Sequence, residues 1–428
     1  MLANAILEGM YNADGTSMNK EDSALSLDAR VYLHDIEKAD ILVGIPSFNN
    51  VLTASYVISQ VTKGLDTYFP NFKSVIFVSD GNSKDETLTS VKKIYLPSEV
   101  KLIPAIYMGI SGKGRAVRAI FEAATQLKVK SVALVDSDLR SITPEWMQLL
   151  IAPTMEGTGF VAPYYNRRKY DGTITNFLCY PITKSLFGKD IRQPIGGDFG
   201  LSIQLVEDLL DSPMWELPDV CRFGIDIFET YTALAKGYKI KQALLGVKNH
   251  DAKDPSSQLA SMFRQVINIM FTSIECYEPI WKAIEGVSNT ELFGDVKSNC
   301  APDQIQVSLP NTIEAFKNNY DCYTEIYKSF LEPEILNKFE DLKQIENTTI
   351  DFPSEIWAKT VYSFIAEFHK NPVYGREKLI DALRVLWIGR IAAFLKETWT
   401  ESEEESEARV VEEAKTFEKL KPYLIAKY

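Results

Sequence analysis

The chain is 428 residues long, with 46% hydrophobic and 24% charged side chains, a globular composition with enough length for two cores. It carries 58 Asp and Glu against 46 Lys and Arg, a net charge of −12, so it lacks the overall basic balance that general nucleic-acid binding relies on. Any anionic ligand must be met by a few local cations or by a metal ion.

Residues 1–39 read as an arm or short helix with polar interruptions at Asn12–Lys20 and Glu21–Ser26. From residue 40 the pattern changes. Ile41–Ile45 is a short apolar run ending in Pro46-Ser47-Phe48-Asn49-Asn50, after which Leu52, Tyr56, Val57 and Val61 keep a helical period. Ser74–Val78 is a second run, closed by Ser79-Asp80-Gly81-Asn82-Ser83, with a helix over Thr87–Lys93. Val100–Ile103 predicts a third strand, and Ser111-Gly112-Lys113-Gly114 then opens a helix with Val117, Ile120, Phe121 and Ala124 on its apolar face. Ser131–Val135 predicts a fourth strand, ending in Asp136-Ser137-Asp138.

Short buried-type strands alternating with amphipathic helices make a doubly wound α/β sheet, here over residues 40–254. The polar punctuation falls at the carboxyl ends of the strands, where such sheets bind ligands. Residues 255–428 predict a C-terminal helical region, with three-and-four apolar spacing over Leu259–Ile284, Asn311–Ile345, Glu355–Lys370 and Glu377–Glu397. The acidic run Glu401–Glu407 reads as a solvated helix start or loop. Five cysteines (Cys179, Cys221, Cys276, Cys300 and Cys322) show no CxxC spacing, which argues against a zinc site or disulfide scaffold and for a reducing compartment. With no basic start to a signal peptide and no run of ~20 apolar residues, a cytoplasmic protein without a membrane span is expected.

Several constellations can carry chemistry. Asp136 and Asp138, at a strand end, can hold a hard divalent cation against a diphosphate; equally, they can cap their own turn. Asp80 can accept from a nucleotide base or serve an Asp-Gly turn. Gly112-Lys113-Gly114 lets backbone approach a ligand and adds one cation at a helix start, although it lacks the P-loop spacing. His250 follows an apolar run and suits a mixed Asp/His metal shell or a plain strand end. Arg167-Arg168-Lys169 is a basic loop able to clamp a carboxylate or phosphate. Gln193-Pro194-Ile195-Gly196-Gly197-Asp198 suggests backbone close to a ligand or a plain Gly-rich turn, and Arg222-Phe223-Gly224-Ile225-Asp226 before a helical stretch offers a further carboxylate or an Asp stabilised by the helix dipole.

The order of these motifs resembles a GT-A glycosyltransferase, and within that group the retaining enzymes that make mannosylglycerate and glucosyl-3-phosphoglycerate. The match is best to the mannosylglycerate synthase type, through DGTITNFLCYPITKSLF (Asp171–Phe187), QPIGGD (Gln193–Asp198) and FGIDIFETYTALAKGYKI (Phe223–Ile240), with LRVLWIGRIAAF (Leu383–Phe394) similar to that family's end. The resemblance implies a GT-A nucleotide-sugar domain over 40–254. It implies Mn²⁺ or Mg²⁺ on Asp138 and His250, with Asp136 near the ribose and metal. Pro46, Ser47, Asp80, Lys113, Ser137 and Gly197 would line the nucleotide-sugar side. Arg167 and Thr175, with Asp171 nearby, would hold the acceptor carboxylate, and Asp138, Asp198 and Asp226 would form the catalytic set. Asp198 stands where the family has a glutamate, and Ser47-Phe48-Asn49 lacks its lysine. Thr173 replaces an arginine of the phosphoglycerate enzymes, which favours an unphosphorylated acceptor.

The expected activity is transfer of mannose from GDP-mannose to D-glycerate with retention, without nucleic acid or membrane partners; a homodimer is compatible with the helical region. The alternatives are a UDP-glucose enzyme acting on (3-phospho)glycerate and a catalytically silent nucleotide-sugar-binding scaffold. A nucleotidyltransferase lacks its Gly-rich, basic loop here.

Overall fold

The computed structural model describes residues 23–250, 258–295, 302–303, 307–344 and 350–428. Residues 1–22 of the expected arm, and Cys300, lie outside them. The described chain falls into two units that interleave in sequence: 23–166, 195–250, 290–295 and 302 in the first, the remainder in the second. A single border near residue 254 is therefore not how the contacts divide the chain. Segment 167–194 leaves the sheet unit, and residues 290–295 return to it.

The first unit is built on an eight-stranded sheet. Its strands are β1 (Ile41–Ser47), β2 (Ser74–Asp80), β3 (Val100–Ile106), β4 (Ser131–Leu134), β5 (Phe160–Asn166), β7 (Phe199–Ser202), β8 (Ile240–Val247) and β10 (Glu291–Phe293), while β6 (Lys189–Asp190) and β9 (Ser288–Asn289) pair in the second unit. The order is β10-β8-β5-β7-β4-β1-β2-β3. Every pairing in it is parallel except those of β7, which runs antiparallel between β4 and β5. β1, β2 and β4 are buried throughout, as strands covered on both faces must be, which is why they read as unbroken apolar runs. Pro46 is tolerated because β4 pairs only as far as Gly44, so its missing N–H falls past the end of that ladder.

The chain steps outward from β1 to β2 to β3, then returns to place β4 on the other side of β1. This reversal makes the carboxyl ends of β1 and β4 the switch point of the sheet. β7 pairs Phe199 with Leu134, so its antiparallel direction delivers Gly196–Asp198 to that same end.

The helix Glu145–Met155, absent from the sequence-based expectation, is buried over most of its surface and contains Pro153; a helix apolar nearly all round shows little periodic contrast. In the second unit the long expected stretches are broken. Leu259–Ile284 divides into Ala260–Cys276 and Glu278–Lys282, and Asn311–Ile345 into Leu309–Tyr320, Thr324–Phe330 and Pro333–Gln344. Pro279 and Pro333 stand in the first turns of new helices, where a missing N–H costs nothing. The acidic run is the start of helix Glu403–Lys419, with a capping box between Ser402 and Glu405. It is not merely solvated. Glu403 accepts from Arg168 (3.2 Å) and from the Lys169 N–H (2.6 Å), and Glu407 pairs with Arg192 at 2.6 Å.

Helix Arg376–Glu397 is buried almost all round over its second half and carries Arg390. The guanidinium pairs with Glu413 at 2.6 Å and Glu397 at 2.9 Å. Removing the cation would leave Glu413 buried without its partner. We therefore expect Arg390→Met to cost about 3–5 kcal/mol in urea unfolding; a loss below about 1 kcal/mol would contradict a pair that is needed where it stands.

Candidate active site

Lysines meet the acids at the switch point. Lys113 opens helix Lys113–Gln126, and its position depends on Gly114. A Cβ there would lie 1.8 Å from the Val220 carbonyl oxygen. The glycine lets the helix start press against Val220–Arg222, with Gly114 N–H donating to Arg222 (3.0 Å) and Arg115 N–H to Cys221 (2.8 Å). The close approach is thus backbone on backbone. It brings Lys113 Nζ to 2.9 Å from Asp136 Oδ1 and 3.2 Å from Asp226 Oδ1.

A second ammonium comes from Lys248, one residue past β8 and buried. Its Nζ donates to Asp136 Oδ2 (2.9 Å), Asp198 Oδ2 (2.8 Å) and the Gly196 carbonyl (2.8 Å), and lies 5.1 Å from the Tyr165 ring centre. Asp136 is therefore held on both oxygens. Burial opposes its ionisation, but Lys113 and then Lys248 outweigh that and hold its carboxyl far below the usual carboxylate range. Burial would likewise lower Lys113, yet Asp136 and Asp226 keep it well above the ordinary ammonium value. Asp198 is fully buried; it accepts from the Asp136 N–H at 2.8 Å and from the Tyr165 hydroxyl. It fixes the turn and Lys248. Gly197 takes φ +84°, and a Cβ on it would meet Asp136 Oδ2 at 2.4 Å, so this position requires glycine.

Asp138 differs from its neighbour. Among the described residues its carboxylate makes no hydrogen bond or ion pair. Burial pushes its carboxyl up, the Asp136 charge adds to this, and Lys248 and His250 oppose it. His250 stands past β8, two residues after Lys248. Between these acids, Ser137 is turned to the β1 loop: its hydroxyl donates to Asn50 Oδ1 (2.8 Å), and Thr53 donates to its carbonyl (2.8 Å).

On the expected nucleotide side, Pro46 and Ser47 end β1 and are buried. Asp80 ends β2, where its carboxylate accepts from the N–H and hydroxyl of Ser83, both at 2.7 Å, so it caps its own turn. Arg167, Asp171 and Thr175 belong to the second unit. Arg167 lies 3.5 Å from Asp171, and Thr175 is buried at the start of a one-turn π-helix. Arg168 and Lys169 are engaged by Glu403, and Lys169 Nζ also by the carbonyls of Thr398 and Glu401.

Could these residues hold a divalent metal? No group of three His, Cys, Asp or Glu side chains placed to bind one occurs among the described residues. Asp136 is committed to two lysines. Asp138 and His250 offer one oxygen and one nitrogen donor, which suits an ion that takes its other ligands from phosphate and water.

Lys248, Tyr165 and Asn50 escaped the sequence reading. Lys248 lies two residues before His250, just after the apolar run Ala243–Val247, and nothing in that stretch marks it as a partner of Asp136.

No family model matches the chain, and no curated protein does. Among solved structures, glucosyl-3-phosphoglycerate synthase from Mycobacterium tuberculosis, in complex with Mn²⁺, UDP and phosphoglyceric acid, is similar over 56% of this chain and 82% of its own, at 22% identity and a TM-score of 0.45. The same enzyme with Mn²⁺, UDP-glucose and phosphoglyceric acid is 23% identical over 57% of this chain and 84% of its own, with a TM-score of 0.44. A further mycobacterial protein is 22% identical over 56% and 77%, with a TM-score of 0.43. Likeness at this level fixes neither donor nor acceptor.

The clamp on Asp136 sets an acid limit. Its native pKa is depressed, so its contribution is complete above the unfolded value of about 3.9 and is lost as pH falls below it. Wild type should exceed Asp136→Asn in thermal stability at pH 6, with the gap shrinking below about pH 4. A gap that does not change with pH would contradict the clamp.

Proposed function

We propose that the chain is a metal-dependent GT-A hexosyltransferase, moving mannose from GDP-mannose to D-glycerate with retention of configuration. The observation that carries this reading is Asp138: a half-buried carboxylate with no hydrogen bond or ion pair among the described residues, beside His250, at the switch point of a largely parallel sheet. Such a place suits a cation bound together with a nucleotide diphosphate.

Bound Mn²⁺ or Mg²⁺ would supply charge neutralisation for the departing diphosphate. Asp138 and His250 would hold it. Lys113, with Asp136, is assigned to the nucleotide side, and Asp226 to the transferred sugar or acceptor. Asp198 is proposed to act by fixing Lys248 and the Asp136 turn, since its fully buried carboxylate is already engaged. Arg167 and Thr175, with Asp171, are assigned to the acceptor carboxylate. The acceptor hydroxyl oxygen bonds to the anomeric carbon as its bond to the diphosphate breaks, and the hydroxyl proton passes to the leaving phosphate oxygen. Thr173 in place of an arginine supports an unphosphorylated acceptor.

Thermal melting with GDP or UDP, each with Mn²⁺ or EDTA, tests the site. A nucleotide at about 100 times its Kd adds about 2.7 kcal/mol to the native state. The reading predicts a rise with GDP that needs Mn²⁺ and is lost in Asp138→Asn. A rise with UDP alone would replace the donor by UDP-glucose, and no rise with either would overturn the site. Turnover of donor only when acceptor is added separates an enzyme from a silent nucleotide-sugar binder, and an inverted anomeric centre in the product would exclude retention.

A further inference from the structure

Glu229 is fully buried on helix Ile225–Ala235, one turn after Asp226. Neither of its carboxyl oxygens has a hydrogen-bond partner among the described residues. A polar group buried in this state carries a penalty and calls for a reason. The charged groups acting on it are Asp226 on its own helix, Lys113 on helix Lys113–Gln126 and Asp136 in the turn after β4.

The pairing around it explains why it stands alone. Lys113 is shared by Asp136 and Asp226, and Lys248 by Asp136 and Asp198. These three carboxylates engage both ammoniums. Glu229 lies three residues from Asp226, a spacing that makes like charges neighbours on a helix, so two ionised acids there would repel across buried ground. Burial and the Asp226 charge both push the Glu229 carboxyl well above its ordinary range.

We propose that Glu229 is a positioning residue that carries a proton in the resting protein, so that Asp226 stays ionised and keeps hold of Lys113. Its neutral form fills the space beside Asp226 without competing for the lysine. Only the consequence for activity rests on the transferase reading above.

The test is thermal unfolding of the full, nucleotide-free chain between pH 5 and pH 8, for wild type, Glu229→Gln and Glu229→Leu. A proton held in the folded state is released on unfolding above the ordinary glutamate pKa of about 4.3, so wild type loses stability relative to either variant as pH rises. The Tm difference, variant minus wild type, should grow by about 3 °C or more from pH 5 to pH 8. The infrared difference between wild type and Glu229→Gln at pH 7 should contain the carbonyl band of a protonated carboxyl. A Tm difference that does not change with pH, or a carboxylate band alone, would overturn the proposal. With GDP-mannose and glycerate, Glu229→Gln should extend activity to higher pH. If no sugar is transferred by either protein, the transferase reading fails, while the unfolding and infrared results still decide the state of Glu229.

Discussion

Asp136 is held on one oxygen by Lys113 and on the other by Lys248, and the first unit is arranged around that clamp. One buried and one partly buried ammonium among acids must find close partners, because an unpaired charge away from water is costly. Each partner comes from a different part of the chain. Gly114 lets the Lys113 helix start press on Val220–Arg222, Gly197 clears room beside Asp136, and the antiparallel β7 brings Asp198 to the end of β4. Tyr165 on β5 closes the group by donating to Asp198.

The clamp also sorts the two acids of the Asp-Ser-Asp turn. Asp136 is saturated by lysines, so its charge is spent on the protein. Asp138 is only half-buried and has no such partner among the described residues, which leaves its charge for a cation. Ser137 between them is tied to Asn50 and Thr53, so the turn is fixed from the β1 side. A hard cation that keeps several of its ligands as phosphate or water oxygens needs few protein donors, and on the proposed reading Asp138 and His250 would be those donors.

Much of the sheet was legible because strands buried on both faces leave unbroken apolar runs: Ile41–Ile45 and Ser74–Val78 lie within β1 and β2. The punctuation after them marked where the site residues stand. What stayed hidden depends on pairing across long separations. Nothing local shows that Lys248 reaches Asp136, 112 residues away, or that Gly196–Asp198 precedes an antiparallel strand set between parallel ones. The helical region read as long stretches because apolar spacing runs through Pro279 and Pro333, whereas each proline begins a new helix. The acidic run reads as a solvated helix start or loop because its partners Arg168, Lys169 and Arg192 lie more than 200 residues earlier.

Asp136 and Asp138 divide the labour at this turn, one holding the two lysines and the other assigned to the cation. Titration of Mn²⁺ by electron paramagnetic resonance, with GDP present, measures this division directly on wild type, Asp138→Asn, His250→Ala and Asp136→Asn. The account predicts that Asp138→Asn and His250→Ala each weaken Mn²⁺ binding at least about tenfold, the lower end for loss of a group that supports a metal site, while Asp136→Asn changes it far less. Equal loss in all three variants would make Asp136 a ligand and contradict the clamp, and undiminished binding in Asp138→Asn would remove the metal from this site.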